Sequence, residues 1–449
     1  VSAETFLARL DNAPLNRFHW RLLAVSGVGV LLDAMDVLLI GFLLVPIRGE
    51  FGLDSVRIGL IASAGFAGMF LGAAFFGRLA DRYGRRSVVQ ATLVLFSIGS
   101  LLSAAAPSFE LLLGARLVAG LGLGGELPVV STLVSELAPR ASRGRLVVLL
   151  GSFWVYGAVA AGLVAVFALP LIGWRGAFII GAVPALYVAY LRRALPESPR
   201  YLAEHGRAAE ADAIVRRVER EGGGALITVA RPVAPPRSSS ARVRDLFSGR
   251  SARRTGMLWI LWFGMGLTYS GMFVFIPAWL VERGPAVTQG NELFFGSTLA
   301  QLPGYWTAAW LVERAGRKAT LILFLVGAAV SAVGFGSTGL GPDGTATAPG
   351  AVWAAALSFF DLGLWGVGYA FAAELYPTAI RGTATGAAVA VGRLGGIAAP
   401  LVVIGIVAAA GQLMAFGVLA GLLLLAAGAV LLLAEETRGR SLEELAPAV

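Results

Sequence analysis

Six ionisable residues interrupt the long apolar stretches of this 449-residue chain: Asp33, Asp36, Arg116, Glu126, Asp361 and Arg393. Asp33 and Asp36 stand at i and i+3 and so share one face of a helix. Arg116 and Glu126 lie on a single stretch, about 15 Å apart along a helix axis, too far to pair with each other. Each must seek a partner elsewhere, and the two acids of the first stretch are the candidates for Arg116. A charged carboxylate in hydrocarbon costs at least about 2.5–3.5 kcal/mol. Such an acid either ties helices together or takes part in moving charge, and the second role is expected for at least one of them. In the second half of the chain, Asp361 stands on the apolar run that ends at Glu374, and Arg393 on the run that begins after Arg381. Both sit roughly 18–20 Å from those charged ends, at about 1.5 Å of rise per residue, and can meet. A structural ion pair and a substrate site are both compatible with that spacing.

Aromatic and amide side chains accompany these charges. Asp361, Trp365 and Tyr369 recur at i, i+4 and i+8, on one helix face. Trp154 and Tyr156 stand among small residues between Gly151 and Gly157, which suits a cavity wall better than a lipid-facing anchor. Tyr269 belongs to an aromatic-rich stretch running from Trp259 to Trp279. Gln301 precedes Pro303-Gly304, where a loosened helix would present a buried amide.

These residues need a bilayer scaffold. The chain is 57% hydrophobic and only 14% charged, with a mean hydropathy of +0.77, whereas soluble proteins approach a quarter charged. Apolar runs of about 20 residues, enough for roughly 30 Å of hydrocarbon, recur twelve times between Trp20 and Leu433 and predict twelve transmembrane helices. The net charge of +9 does not mark a nucleic-acid partner. Of the 36 basic residues, all arginine except Lys318, four fall outside (Arg48, Arg57, Arg175, Arg283), two lie within spans (Arg116, Arg393), and the remainder lie on the cytoplasmic side if the N-terminus is inside. That bias places both termini in the cytoplasm of a cell with the chain in its inner membrane. The basic N-terminal segment leads into a full-length span, so no cleaved signal is read. There are no cysteines, and the two histidines, His19 and His205, flank cytoplasmic ends. No stretch offers a nucleophile with an adjacent base or a metal-ligand cluster, which argues against an enzyme.

The chain is also duplicated. Gly77-Arg78-Leu79-Ala80-Asp81-Arg82-Tyr83-Gly84-Arg85-Arg86 returns in the second half as Ala309-Trp310-Leu311-Val312-Glu313-Arg314-Ala315-Gly316-Arg317-Lys318, slot for slot. Glu136-Leu137-Ala138-Pro139, followed by Arg143-Gly144, returns in nearly the same register as Glu374-Leu375-Tyr376-Pro377, followed by Arg381-Gly382. Gly77 allows a close helix approach, Gly84 suits a tight turn, and Asp81 is placed to cap a helix of the other half. Arg82 and Arg85 would pair with it or with lipid phosphate. This predicts an all-α membrane protein of two pseudo-symmetric six-helix bundles: residues 1–195, a cytoplasmic linker at 196–252 with short helices, residues 253–434, and a cytoplasmic tail at 435–449.

The two charged repeats, Pro196-Glu197-Ser198-Pro199-Arg200 and Glu436 to Leu442 resemble the sugar-porter branch of the major facilitator superfamily. More narrowly, Asp33-Ala34-Met35-Asp36, Gly124-Gly125-Glu126-Leu127-Pro128, Ser152-Phe153-Trp154, Leu299 to Tyr305 and Tyr376 to Arg381 resemble the bacterial niacin transporters, kin of the synaptic-vesicle glycoprotein and organic-ion branches. The resemblance implies the major facilitator fold, a central site opened alternately to each side, and an Asp33–Arg116 pair as in proton-coupled sugar porters. It also implies that Trp154 and Trp365 flank the ligand. Gly151 stands where the niacin transporters carry an acid, and Asp361 where they carry an amide. The expected activity is uptake of nicotinate or a similar small aromatic acid with protons, which serve as coupling ion without any other cofactor. Asp33, Asp36, Arg116 and Glu126 are assigned to coupling. Trp154, Tyr156, Tyr269, Gln301, Asp361, Trp365, Tyr369 and Arg393 are assigned to substrate. Gly77, Asp81, Arg82, Gly84, Arg85, Glu136, Arg143, Glu313, Arg314, Arg317, Glu374 and Arg381 are assigned to gating. Membrane lipid is the expected surrounding and a monomer the working unit. An organic-cation or sugar carrier, or a ligand-binding sensor without transport, is the alternative.

Overall fold

A computed structural model describes residues 3–223, 243–272, 287–338 and 347–445, and among these every regular element is helical. A short helix, α1 (Ala3–Asp11), is followed by α2 (Arg17–Phe51), α3 (Ser55–Tyr83), α4 (Arg85–Ala105), α5 (Phe109–Leu137) and α6 (Arg143–Leu163). After a π-helical turn at Val164–Ala168 come α7 (Leu169–Gly181), α8 (Pro184–Ala194), α9 (Pro199–Glu204) and α10 (Ala208–Glu221). The second half contains α11 (Gly249–Ser270), α12 (Val287–Arg314), α13 (Arg317–Thr338), α14 (Ala348–Glu374), α15 (Thr378–Leu433) and α16 (Leu442–Leu445).

Local chemistry explains several starts. Asn16 caps α2 in a reciprocal box with His19, Asp54 accepts from the Arg57 N–H at 2.7 Å, and Thr347 accepts from the Gly350 N–H at 2.9 Å. Among the described residues eight helices are long and apolar enough to cross a membrane by length and composition. Two helical runs, 143–191 and 378–433, each turn at one glycine and count twice; with α2, α3, α4, α5, α11, α12, α13 and α14 the described helices make the expected twelve passages. Those glycines, Gly173 (φ 66°) and Gly411 (φ 80°), correspond in the register that relates Glu136 to Glu374. Gly84 (φ 95°) and Gly316 (φ 93°) correspond in the register that relates Gly77 to Ala309. A side chain is strained in that region of φ, so the duplication is preserved in the backbone at its turns.

The bundle turns apolar side chains outward, with Leu171 84% and Leu432 80% exposed, and buries its intramembrane charges. A water-soluble fold does the reverse. All four charged motif segments gather at one end, here the clasp end. There α1 docks on α10: Arg9 pairs with Asp212 at 2.9 Å and with Glu219, and Asp11 accepts from Arg143 and Arg200 at 2.7 Å each. Helix α1 is not among the expected elements. A linker helix is expected at Ala208–Arg220, where α10 is found, and a short one at Val243–Phe247, which is a 3-10 turn. The Pro/Ser-rich stretch before that turn, and Phe273, Phe275 and Trp279, lie outside the described residues.

Candidate functional site

The site has three levels. At the clasp end, Asp81 at the foot of α3 accepts from the Gly382 N–H at 3.0 Å, and from the Thr383 N–H and hydroxyl at 2.7 and 2.8 Å. Its charge thus sits on the positive N-terminus of α15 in the other half. Gly77 makes this approach possible, because a Cβ there would come within 2.3 Å of the Gly382 carbonyl. Arg85 bridges Asp81 and Glu136 at 3.1 Å each and donates to the Thr378 carbonyl at 2.8 Å, while Arg381 crosses from the second half to Glu136. The repeat builds a second cluster: Arg317 bridges Glu313 at 3.1 Å and Glu374 at 2.9 Å, and Glu313 accepts from the Arg145 N–H across the halves at 3.0 Å. Three residues assigned to gating stand apart from these pairs, of which Arg143 is held by Asp11 at 2.7 Å. Arg82 and Arg314 are exposed, and their guanidinium groups lie over Tyr83 and Trp310, at 5.3 and 4.4 Å from the ring centroids.

Buried ends need satisfied backbone groups, and two loop glutamates provide them. Glu197 accepts from the Arg85 N–H at 3.0 Å and the Arg86 N–H at 3.2 Å; Glu436 accepts from the Arg317 N–H at 3.0 Å and the Lys318 N–H at 3.1 Å. The clasp therefore seals one end of the bundle in both halves. Glu204, at the end of α9, faces the same cluster, and its burial raises its carboxyl to about 7 although Arg85 opposes the shift.

About halfway up lies a cavity of about 30 Å³, room for a water or two, walled by Trp154, Tyr269, Tyr305, Trp365, Tyr369 and Arg393, with Leu127 and Leu362. Trp154 donates its indole N–H to the Tyr269 hydroxyl across the halves at 3.3 Å. Tyr269 meets Trp365 edge to face at 5.9 Å, and Trp262 braces Trp365 and Tyr369 at 5.3 and 4.7 Å between centroids. The Arg393 guanidinium lies 5.9 Å from the Trp365 ring centre, and among the described residues no carboxylate is within ion-pair distance of it.

The third level belongs to the first half. Asp33 and Glu126 are buried neighbours: Glu126 Oε1 sits over Gly29, one turn from Asp33, and neither Glu126 oxygen nor Asp33 Oδ1 has another hydrogen-bond partner. Two buried carboxyl groups so placed hydrogen bond only if one of them holds a proton. Asp36 is satisfied differently, accepting from Arg116 at 2.6 Å and from the Ser100 hydroxyl at 2.9 Å. Arg393 is within electrostatic range of Asp33 across the halves.

The structure thus corrects four expectations. Arg116 pairs with Asp36, not Asp33: α2 and α5 run in opposite directions, so the deeper acid of α2 meets the deeper residue of α5, leaving Asp33 level with Glu126. Asp361 and Arg393 do not form an ion pair; both Asp361 oxygens lack a hydrogen-bond partner, and the carboxyl lies instead near the Trp365 indole. Tyr156 is 37% exposed and packs edge to face on Phe153, because two residues along a helix turn it about 200° from Trp154. Gln301 is buried but does not line the cavity. Sequence reasoning missed Tyr305, Leu127 and Leu362, and the bracing role of Trp262. Tyr305 lay within a stretch notable only for its kink and its amide.

A sealed end, a small central cavity between the halves and an apolar outer wall are the parts of a membrane carrier, and that is the class this fold defines. A family profile described as "Sugar (and other) transporter" matches residues 29–448, and the chain belongs to that family. It is 45% identical to the niacin transporter NiaP of Acinetobacter baylyi over 98% of this chain and 99% of that protein. It is 41% identical to a putative niacin/nicotinamide transporter NiaP of Bacillus subtilis over 94% and 98%. The structure of the major facilitator proton:xylose symporter XylE bound to a bromodeoxyglucose superposes with a TM-score of 0.77 at 22% identity, covering 95% of this chain and 98% of that one, which shows the shared fold. The protein is a major facilitator transporter, not an enzyme.

Proposed function

We propose that this protein takes up nicotinate, or a small aromatic acid like it, together with protons, in an inner membrane with both termini in the cytoplasm. The observation that carries this reading is Arg393: a buried guanidinium, without a carboxylate partner among the described residues, set in a wall of tryptophan and tyrosine. A flat ring with one carboxylate matches such a wall, the ring against indole faces and the carboxylate on the fork of Arg393. The relatives' named substrate is a molecule of this kind. The cavity as it stands is too small for it, so entry requires Trp154 and Trp365 to part.

The carboxyl pair supplies the coupling. With one proton shared between Asp33 and Glu126, one negative charge remains near Arg393. A second proton on the pair removes that charge and frees the field of Arg393 for the substrate anion. Proton and substrate then bind with mutual benefit, while Asp36 and Arg116 hold the helices in register. One proton per nicotinate anion is electroneutral, driven by about 1.36 kcal/mol per pH unit.

The test is uptake of radiolabelled nicotinate into proteoliposomes under an inward proton gradient, with benzoate and nicotinamide as competitors. Accumulation that collapses with a protonophore, with benzoate competing better than nicotinamide, is the expected result. Equal competition by the amide would remove Arg393 from the substrate site.

A further inference from the structure

The two seams that join the halves at the clasp end are related by the duplication, yet they close differently. Where α3 meets α15, backbone lies on backbone: a Cβ at Gly386 would come within 2.2 Å of the Ala73 carbonyl, and one at Gly77 within 2.3 Å of the Gly382 carbonyl. In the register that relates Gly77 to Ala309, Ala73 corresponds to Tyr305, on the related seam between α12 and α6. Here a side chain fills the gap. A Cβ at Gly151 of α6 would stand 2.8 Å from Tyr305 Cε1, and a Cβ at Gly366 of α14 would stand 3.0 Å from the same ring and 2.9 Å from the Val148 methyl. Two glycines from different halves thus form a slot that admits the phenol ring and little else.

The height of the slot gives it a role. Gly151 lies eight residues from Arg143, Tyr305 eight from Glu313, and Gly366 eight from Glu374, so all three are level at about 12 Å above the clasp. Trp154 and Arg393 lie further along their helices from Arg143 and Arg381, hence higher. Tyr305 is 3% exposed and lines the cavity with its ring. It therefore stands between cavity and clasp, carried by the second half and wedged between its own Gly366 and Gly151 of the first.

We propose that Tyr305 is the gate of the cavity on its clasp side, held shut by the Gly151 and Gly366 slot, and that its ring must leave Gly151 before substrate passes. The proposal rests on the reading of the protein as a carrier but not on which substrate it carries. A methyl group on either glycine denies the ring its seat and shifts the protein toward the state open at the clasp end.

The absence of native cysteines allows a direct test. Ala309, one turn beyond Tyr305 on the same helix and 3% exposed, is replaced by cysteine, and its maleimide labelling rate is read in nanodiscs without substrate. Gly151→Ala is expected to raise that rate about tenfold, and Gly366→Ala, made from the other half, to do the same. With Tyr305→Ala present, labelling is fast from the start and neither glycine substitution adds to it; Tyr305→Phe stays slow. An unchanged rate in both glycine variants, or an equal increase whether or not the Tyr305 ring is present, overturns the gate. Tm and elution volume identify a variant that has merely unfolded, and the second glycine then decides. Because labelling needs no ligand, a protein that failed to carry nicotinate would still report on the gate.

Discussion

At the clasp end the two halves repeat the same capping glutamates, bridging arginines and turn glycines, although Arg381 crosses to Glu136 while its counterpart Arg143 pairs with Asp11. Glu197 and Glu436 cap the same helix starts, Arg85 and Arg317 bridge the same acids, and Gly84 and Gly316 make the same turn. Halfway up the bundle the likeness stops. The first half there holds carboxyl groups and one arginine, Asp33 beside Glu126 and Asp36 on Arg116; the second holds a cage of Trp262, Trp365 and Tyr369 around Arg393. The difference teaches how a duplicated carrier divides its work. The shared ends repeat the same ion-pair clusters on two seams that are packed differently, and the diverged middles put the carboxyl pair in the first half and most of the aromatic wall in the second. The chemistry that couples them is the field between Asp33 and Arg393.

That division can be broken in order of effect. Asp36→Asn should be the most damaging change, since it leaves Arg116 buried without its anion; breaking one partner of a buried pair costs about 3–5 kcal/mol. A lowered Tm that Arg116→Leu partly restores in the double variant would mark the pair as structural, whereas normal stability with lost coupling would move it into the proton machinery. Next comes Arg393→Ala, which should weaken nicotinate binding by about 30–100-fold, the loss of a charge-assisted fork worth roughly 2–3 kcal/mol, with little change for nicotinamide. Tryptophan quenching by each ligand measures it.

Smaller effects belong to the clasp. Asp81→Asn keeps an acceptor for the Gly382 N–H but loses the charge on the α15 N-terminus, about 1 kcal/mol. A cysteine at Ala73, fully buried in the closed seam, should then label about fivefold faster. Glu204 should give the least. Its carboxyl, raised to about 7 by burial, is neutral at pH 5.5 and charged at pH 8, so the closed protein loses stability as pH rises from the ordinary carboxylate range through 7. Glu204→Gln should therefore raise Tm by a few degrees at pH 8, about 1 kcal/mol or more, by less at pH 5.5, and leave it unchanged only near pH 4, below the ordinary carboxylate range.

Much of this was legible in the sequence because it depends on period and spacing. Apolar runs gave the passages, and the two charged echoes gave the halves and the arginine–acid clusters of the clasp, but not the contributions of Asp11 and Glu204. The glycines at Gly173 and Gly411 carried the same echo and went unread. What spacing along one helix cannot supply is the height at which a neighbour passes. Asp33 and Asp36 were equivalent candidates for Arg116 until the antiparallel course of α5 set their levels. Tyr156 was misplaced by a rotation that its offset from Trp154 alone would have revealed. Tyr305 was hidden for another reason: its slot is made of two glycines from opposite halves of the chain, each one of many that could serve ordinary helix packing.

The central claim is that the first half carries the proton, while the second supplies Arg393 and most of the aromatic wall, to which the first half adds Trp154. It is tested most directly by Asp33→Asn in proteoliposomes, comparing nicotinate accumulation under a proton gradient with exchange of internal for external nicotinate at equal pH. Accumulation should vanish while exchange persists at a substantial fraction of the unmodified rate, because the aromatic cage and Arg393 are intact. Loss of both in equal measure, or accumulation that survives, would contradict the division.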